Sequence, residues 1–334
     1  MKKYILSFII CIFILILCIN LGSVSIALPD SICIILHKVF GRPLPDSVQP
    51  MDVSIFWNIR LPRALAAFLV GGALSVSGVI MQSLLQNPLA SSYTMGVSSG
   101  SALGATIIII TGIKMFALRS FLLPTAGFVF ALLTVLFVIV ISTKIDRNLH
   151  SYTMILVGMV VSLFVSSILT LLSSLFPDHY QQIYYWMMGS FASRSWLQVG
   201  IIFIVSIVIV FVIWLFSKDL DIMTFGDDQA MSMGIDTKKK KTTFIVLTSL
   251  LTGVCVAFTG TIGFIDLVAP HVVRRIFGSK HNVVIPMSFL FGGAFMSIAD
   301  LIARTIISPR ELPVGAVTAL LGAPFFIFIF FKKK

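Results

Sequence analysis

The sequence predicts an all-α integral membrane protein with about ten transmembrane helices. Of its 334 residues, 58% are hydrophobic and only 11% are charged, whereas a globular domain carries about 25% charged residues. Apolar runs recur along the whole chain at about 20 residues, the length that a helix needs to cross the bilayer's hydrocarbon. Helices satisfy their backbone hydrogen bonds internally in lipid, so the runs predict a single helical bundle over residues 1–334.

Ten apolar runs give the order and approximate bounds of the predicted spans. The first begins after Lys2 and Lys3 and resembles a signal peptide with a passable cleavage site after Ala27, but its length and the runs that follow favour an uncleaved first helix. Ile183–Phe191 is too short to cross and is typical of a re-entrant or interfacial helix. The spans are predicted at 4–28, 61–84, 93–112, 121–142, 152–175, 196–216, 243–262, 264–276, 284–303 and 313–331.

The distribution of positive charge predicts the orientation of the bundle in the cytoplasmic membrane. Ten spans place both termini on one side, and Lys and Arg accumulate in cytoplasmic loops. With cytoplasmic termini, 15 of the 24 Lys and Arg residues face inward and 9 face outward. The net charge of +11 then matches the anionic lipid of the inner leaflet, and no nucleic-acid partner is expected. The inward set is Lys2, Lys3, Lys144, Arg147, Lys218, Lys238–Lys241, Arg274, Arg275, Lys280 and Lys332–Lys334; the outward set is Lys38, Arg42, Arg60, Arg63, Lys114, Arg119, Arg194, Arg304 and Arg310.

Lys218–Lys241 is the one long hydrophilic stretch in the second half of the chain. It holds five of the 13 acidic residues and five of the 24 Lys and Arg residues. Within it, Gly226–Gly234 is long enough for a short helix, with Asp227 and Asp228 near its positive N-terminal end and a glycine as its stop. Such a helix on the aqueous face predicts a contact for a protein outside the membrane. The Lys238–Lys241 run is expected to be a solvated segment that faces the inner leaflet.

Three arginines lie at the predicted outer ends of spans. Arg60 and Arg63 open the second span, and Arg304 closes the ninth. Their side chains either anchor helix ends by reaching to the lipid headgroups or pair with carboxylates on an external protein, where the guanidinium forms two parallel hydrogen bonds. The residues alone favour neither role.

Small residues are dense in the second span and in the third. They allow helices to approach closely, as a tightly packed bundle requires, and they would also suit an uncharged lining for a substrate path. Packing is the commoner reason. The residues are Gly71, Gly72, Ala73, Ser75, Ser77, Gly78, Gly96, Ser98, Ser99, Gly100, Ser101 and Gly104.

The sequence lacks the motifs of catalysis and of nucleotide binding. There is no Gly-x-x-x-x-Gly-Lys-Ser/Thr phosphate loop, nucleophile elbow or dinucleotide fingerprint, and neither the four cysteines nor His271 and His281 have metal-ligand spacing. Asp266 and Asp300 are the only candidates for the intramembrane charges that proton-driven carriers use. We therefore predict no enzyme, cofactor or metal, which leaves a passive channel or a transport subunit powered by a separate ATPase.

An ordered set of motifs from about Arg60 to Phe330 resembles the permeases of iron–siderophore and vitamin B12 ABC importers, the FecCD/BtuC-like family. Each motif alone is weak, but their order along the chain is specific. They are Arg60-Leu61-Pro62-Arg63, Gly78-Val79-Ile80-Met81-Gln82, Asn87-Pro88-Leu89-Ala90, Gly96-Val97-Ser98-Ser99-Gly100, Trp186-Met187-Met188-Gly189-Ser190, Gly263-Phe264-Ile265, Leu267-Val268-Ala269-Pro270-His271, Ala299-Asp300, Glu311-Leu312-Pro313-Val314-Gly315 and Gly322-Ala323-Pro324-Phe325-Phe326.

The resemblance implies a partner for each end of the molecule. In this family the segment after the sixth span contacts cytoplasmic ATP-binding subunits, and outer arginines dock the glutamates of an extracellular substrate-binding protein. It also implies a second permease half, identical or related, with the substrate path at the interface. The implied sites are docking at Arg60, Arg63 and Arg304; coupling at Gly226, Asp227, Asp228, Ala230 and Gly234 within 218–241; and a gate or path at Gly96, Ser98, Ser99, Gly100, Met187, Met188, Gly189 and Ser190.

The sequence therefore predicts the permease subunit of a binding-protein-dependent ABC importer for a ferric siderophore. Haem or cobalamin cargo on the same architecture is the nearest alternative. A self-sufficient channel or proton-coupled carrier is the alternative of another class. One departure from the family is Asp266, which stands where glycine is common; it faces either a polar neighbour or the path.

Overall fold

The computed structural model describes residues 2–22, 24, 26–45, 48–113 and 121–331. Lys114, Arg119 and Lys332–Lys334 of the charge count lie outside the described residues. The helices are α1 (Lys2–Asn20), α2 (Leu28–Phe40), α3 (Pro50–Ser54), α4 (Leu61–Leu84), α5 (Val97–Thr111), α6 (Leu122–Ile145), α7 (Ser151–Leu175), α8 (Tyr180–Met187), α9 (Trp196–Leu215), α10 (Ser217–Met223), α11 (Asp227–Ser232), α12 (Thr237–Thr259), α13 (Ile265–Phe277), α14 (His281–Thr305) and α15 (Val314–Phe331).

The helix lengths agree with a multi-pass membrane bundle. Seven described helices are long and apolar enough to cross a bilayer: α1, α6, α7, α9, α12, α14 and the continuous Pro50–Leu84 helix that contains α4. The apolar helices α5 and α15 are shorter, and α13 has 13 residues. Counting these three, the prediction of an all-α membrane fold with about ten spans is confirmed.

Several predicted boundaries differ from the structure. The first helix ends at Asn20 rather than at residue 28, and α2 was not predicted, since 13 residues that mix apolar and polar side chains look like a loop. The interfacial helix over Ile183–Phe191 is present but lies earlier, as α8. The α12 helix begins at Thr237 rather than at residue 243 because Asp236 caps it by accepting a hydrogen bond from the backbone N–H of Lys239, at 3.1 Å.

The antiparallel pair α4 and α14 forms the centre of the bundle. Nearly every residue of α4 is buried. A Cβ atom on Gly71 would overlap the carbonyl oxygen of Gly292, and one on Gly292 would overlap the side chain of Ser75. The small residues of α4 therefore serve helix packing, because only glycine lets the two backbones come this close.

The bundle has two structurally different ends. The α8 end holds α8, the start of α4 and the connection between α14 and α15. The α11 end holds α10, α11 and the turns after α4, α6 and α13. Arg63 of α4 contacts Asp300 of α14 at the α8 end, and Ser83 of α4 contacts His281 of α14 at the α11 end. The α4–α14 pair thus connects the two ends directly.

Candidate functional site

The predicted short helix is present as α11. Gly226 precedes it with φ +110° and Gly234 follows it with φ +85°, and both angles lie where glycine is favoured. Ala230 is fully buried beneath the helix, and its carbonyl oxygen accepts the N–H of Ile235 at 3.0 Å, which closes the turn. The coupling candidates Gly226, Asp227, Asp228, Ala230 and Gly234 therefore lie together on one compact turn–helix–turn unit.

This unit exposes three large apolar side chains together with polar ones such as Asp228 and Gln229. Phe225, Met231 and Met233 project large hydrophobic side chains away from the bundle, and Asp228 is exposed between them in sequence. Apolar side chains grouped on a hydrophilic end of a membrane protein are typical of a surface that another protein covers. Methionine suits such a contact because its unbranched side chain adapts to the partner's shape.

The prediction that Lys238–Lys241 is a solvated run is wrong for its second half. The Lys241 side chain is only 1% exposed and its Nζ lies 2.5 Å from Asp227 Oδ2. The Nζ of Lys240 lies 2.6 Å from Asp219 Oδ2 and 4.0 Å from the centre of the Phe216 ring. Local sequence cannot reveal these pairs, because the carboxylates reach the lysines only when α10 and α11 fold back onto α12.

The turn between α6 and α7 contributes a fixed backbone oxygen to the same region. Asp146 accepts hydrogen bonds from the backbone N–H of Asn148 at 3.0 Å and of His150 at 2.8 Å. The His150 N–H is the main cause that lowers the pKa of Asp146 to about 2, so the carboxylate is ionised at neutral pH. Leu149, with φ +55°, directs its carbonyl oxygen to Lys241 Nζ at 3.0 Å.

At the α8 end, Arg63 forms the centre of a buried charge cluster. Its guanidinium donates to both carboxylate oxygens of Asp300 at 2.9–3.1 Å and to Glu311 Oε1 at 2.6 Å. The two partners differ in solvent access: the side chain of Asp300 is 2% exposed and that of Glu311 is 41% exposed. Arg63 therefore has one buried partner inside the bundle and one that reaches the surface.

The other two arginines complete the last turn of α1. Arg60 donates to the carbonyl oxygens of Asn20, at 2.9 Å, and of Val24, and Arg304 donates to that of Cys18. The final carbonyl groups of a helix lack intrahelical partners, so the bonds to Cys18 and Asn20 satisfy two of them, whereas Val24 belongs to the segment after α1. Docking by these arginines stays a prediction, and each would first have to give up contacts within its own subunit.

Two of the path candidates pack against α6. Gly96 precedes α5 with φ +82°, and a Cβ atom there would crowd Thr134 of α6, as would one on Gly100. Ser98 and Ser99 are partly exposed, and the Ser99 hydroxyl donates to the carbonyl oxygen of Gly96 at 3.2 Å. The two glycines have a packing role, and the path role of the group stays a prediction.

The gate candidates Met188, Gly189 and Ser190 follow α8, and their backbone bonds connect it to the start of α15 and the end of α12. The Gly189 carbonyl oxygen accepts the N–H of Val314 at 3.2 Å, and that of Met188 accepts the N–H of Gly315 at 3.1 Å, so the segment holds the start of α15. The Ser190 N–H donates to the Thr259 carbonyl oxygen at the end of α12, at 2.8 Å.

A cavity of about 510 Å³ lies between α7 and α8. Met187, a gate candidate, is part of its wall, and the rings of Tyr180 and Tyr184 stack with centroids 5.9 Å apart. None of the described residues that line it is charged. They are Ser166, Leu169, Thr170, Ser173, Ser174, Tyr180, Ile183, Tyr184 and Met187.

The buried titratable groups of α13 and α14 have local partners. Asp266 accepts a hydrogen bond from the Ser91 hydroxyl, so of its two predicted environments the polar neighbour is the observed one. His281 bonds through Nδ1 to Asp221 at 2.6 Å and through Nε2 to Ser83 at 2.7 Å, which matches a helix-end role. Among the described residues, no three His, Cys, Asp or Glu side chains lie close enough to hold a metal ion.

Comparisons with known proteins agree with this architecture. The family model of the FecCD transport family matches residues 10–332. The ABC transporter permease protein YvrB of Bacillus subtilis (strain 168), itself uncharacterised, is 38% identical over 99% of this chain and 93% of its own length. The vitamin B12 import system permease protein BtuC of Vibrio parahaemolyticus is 33% identical over 93% of this chain and 92% of its own length.

A solved structure confirms the fold over nearly all of the chain. An inward-facing conformation of a metal-chelate type ABC transporter superposes with a TM-score of 0.86 at 27% identity, covering 99% of this chain and 100% of that one. The fold and the comparisons define the permease of an ABC importer. The chain belongs to the FecCD transport family. Its relatives are also named as permeases for molybdate, siderophores and hemin.

Proposed function

We propose that this permease carries a ferric siderophore across the cytoplasmic membrane. The uncharged cavity between α7 and α8 carries the proposal, since its lining consists of hydroxyl groups, two tyrosine rings and aliphatic side chains. A chelate encloses the charge of Fe³⁺ and presents amide, hydroxyl and aromatic groups, which such a wall can contact without a buried counter-charge. A bare ion or small oxoanion in this cavity would lack the charged partner that it needs when it is buried in low dielectric.

Separate ATP-binding subunits supply the energy in this proposal. They cover Phe225, Met231 and Met233 at the α11 end, which is then cytoplasmic along with both termini. The permease contributes no chemistry; its two states differ in their contacts with the ATP-binding subunits, and that difference drives the transition. A second permease half faces the α7–α8 cavity and completes the path.

Docking of the extracellular binding protein takes place at the α8 end in this proposal. Arg63 suits it best of the three predicted arginines because its second carboxylate partner, Glu311, lies at the surface. A carboxylate of the binding protein replaces Glu311 on Nη1, while Asp300 keeps the rest of the guanidinium in place. Arg60 and Arg304 keep their bonds to the end of α1 while Arg63 exchanges its carboxylate partner.

Haem or cobalamin is the second candidate cargo. The stacked Tyr180 and Tyr184 rings favour it, since a flat macrocycle gains from aromatic contact in an uncharged cavity. The names of several relatives point to these cargoes as well.

Uptake in cells tests the function. A strain that lacks this chain is compared with the same strain complemented, using radio-iron as catecholate, hydroxamate and citrate complexes and as haem, and labelled cobalamin. We expect loss of one iron–siderophore complex, restored by complementation. Loss of haem or cobalamin uptake instead selects the second candidate, and unchanged uptake of all five contradicts both.

A further inference from the structure

One buried ammonium group joins α11 to two elements that are distant in sequence. Lys241 lies in the second turn of α12, and its Nζ bonds to Asp227, 14 residues earlier, and to the carbonyl oxygen of Leu149, 92 residues earlier. Asp227 is the first residue of α11, and Leu149 belongs to the turn between α6 and α7. Lys241 is therefore the point at which α11, α12 and the α6–α7 turn meet.

The acceptor side of this contact is rigid. The two backbone hydrogen bonds to Asp146 close the α6–α7 turn, and the buried Leu149 side chain anchors it in the core. A carbonyl oxygen on such a turn has a fixed direction. A shift of the ammonium group is consequently passed to the ends of α6 and α7 rather than absorbed by the turn.

The adjacent lysine provides a second connection in another direction. Lys240 pairs with Asp219 of α10. Consecutive residues on a helix point about 100° apart, so Lys240 reaches α10 and Lys241 reaches α11. Lys239 differs from both, because its side chain is 85% exposed and pairs with Asp236, three residues before it in the chain.

We propose that Lys241 is a positioning residue of the transport cycle, which makes α11, α12 and the α6–α7 turn move as one unit when the ATP-binding subunit displaces α11. The inference rests on the proposed role of the exposed α11 face. Separating a buried ion pair leaves charges unpaired in low dielectric, so α11 does not slide independently of α12. Since α7 also forms one wall of the cargo cavity, the displacement reaches Ser166 and Thr170.

The test compares transport with assembly in three variants: Lys241→Met, Asp227→Asn and the double variant. Each is expressed in the deletion strain with its ATP-binding subunit. The readouts are the amount of ATPase that co-purifies with the permease, its ATP hydrolysis rate, and radio-iron uptake from the catecholate, hydroxamate and citrate complexes. Lys239→Ala is the matched control and is expected to transport like the wild type.

We expect Lys241→Met to keep its ATPase and its ATP hydrolysis while uptake per assembled complex falls by roughly fivefold or more, the size of effect seen for contacting pairs. The double variant is expected to be no worse than Lys241→Met, because both changes remove one contact. Uptake that falls only in proportion to assembled complex, or not at all, overturns the inference. So do additive losses in the double variant.

Asp227→Asn keeps the inference testable if Lys241→Met does not accumulate. It removes only the charge of a side chain that is 22% exposed, and it should also lower uptake more than assembly. If Asp227→Asn lowers uptake and assembly equally, the positioning role of Lys241 is contradicted as well. A wild-type chain that brings down no ATPase would instead contradict the proposed function, so the two failures are distinguishable.

Discussion

The two ends of the bundle use charged side chains in different ways. At the α8 end, a bidentate arginine–carboxylate pair joins the two central helices α4 and α14, and Arg63 and Asp300 are both nearly inaccessible to solvent. At the α11 end, Lys240 and Lys241 pair with carboxylates of the short helices α10 and α11, and those carboxylates, Asp219 and Asp227, remain partly exposed. Bidentate arginine fixes orientation as well as distance, whereas a lysine ammonium is a point charge on a flexible stem.

The two ends therefore differ in how tightly their charged contacts fix the neighbouring helices. The α8 cluster locks two spans together at one place, with only Glu311 available for exchange. The α11 contacts connect a short helix to larger spans while leaving its outer face exposed. In the proposed mechanism, the ATP-binding subunit acts on the exposed α11 surface, and the displacement passes from there into the bundle.

The largest effect is expected from breaking the α8 cluster. Arg63→Met removes the bidentate partner of the buried Asp300 and leaves it beside Arg304, whose Nε lies 3.8 Å from Asp300 Oδ2. Breaking a buried pair by removing one partner costs about 3–5 kcal/mol. Thermal unfolding of the detergent-purified chain should show a large drop in midpoint. Arg310→Ala removes an exposed arginine from the same end and should leave the midpoint nearly unchanged; similar drops in both variants would contradict the central role of Arg63.

The next test concerns the close packing of α4 against α14, apart from the Arg63 charge cluster. Gly292→Val places a side chain where Ser75 and the Gly71 carbonyl oxygen already lie, and overpacking of this kind costs about 1–3 kcal/mol. The matched control is Gly200→Ala in α9, where a Cβ atom meets nothing within 4 Å. We expect the unfolding midpoint to fall in the first variant and to hold or rise slightly in the second.

Gly234→Ala tests the α11 end with a smaller change. A Cβ atom there meets nothing within 4 Å, so the cost comes only from φ +85° and is about 1–2 kcal/mol. Gly41→Ala is the matched control, because Gly41 also ends a helix with a left-handed φ, +70°, and a Cβ atom there also meets nothing within 4 Å. We expect both variants to unfold at a slightly lower temperature than the wild type. Only Gly234→Ala should lower uptake while ATP hydrolysis continues. Equal uptake in the two variants would contradict a coupling role for Gly234.

Glu311→Gln is expected to have the smallest effect on stability, about 1 kcal/mol or less, since its side chain is 41% exposed and solvent screens its ion pair. Uptake should saturate at a lower concentration of the iron complex, because Arg63 then lacks its competing internal carboxylate. Asp300→Asn is the comparison, with a large loss of stability. A half-saturating concentration that rises in Glu311→Gln would contradict the exchange of carboxylates.

The sequence was more informative about α11 than about the contacts that hold it. Gly226, Gly234 and the acidic first turn predict a short helix from local chemistry alone, and that helix is present. Lys241 was misread as solvated because a run of four lysines is indistinguishable from a surface segment until Asp227 is brought beside it. Likewise Arg63, Asp300 and Glu311 are each visible as charges, but 237 and 248 residues separate Arg63 from its two partners.

By itself the sequence determined the membrane class, the order of the spans and the family motifs. These follow from apolar runs and local residue types, which act over one or two helical turns. Only the tertiary structure decided which charges are buried in pairs, which glycines serve close packing and where an uncharged cavity opens. Those properties depend on side chains from distant spans meeting at one place, and no local pattern encodes which helix faces which.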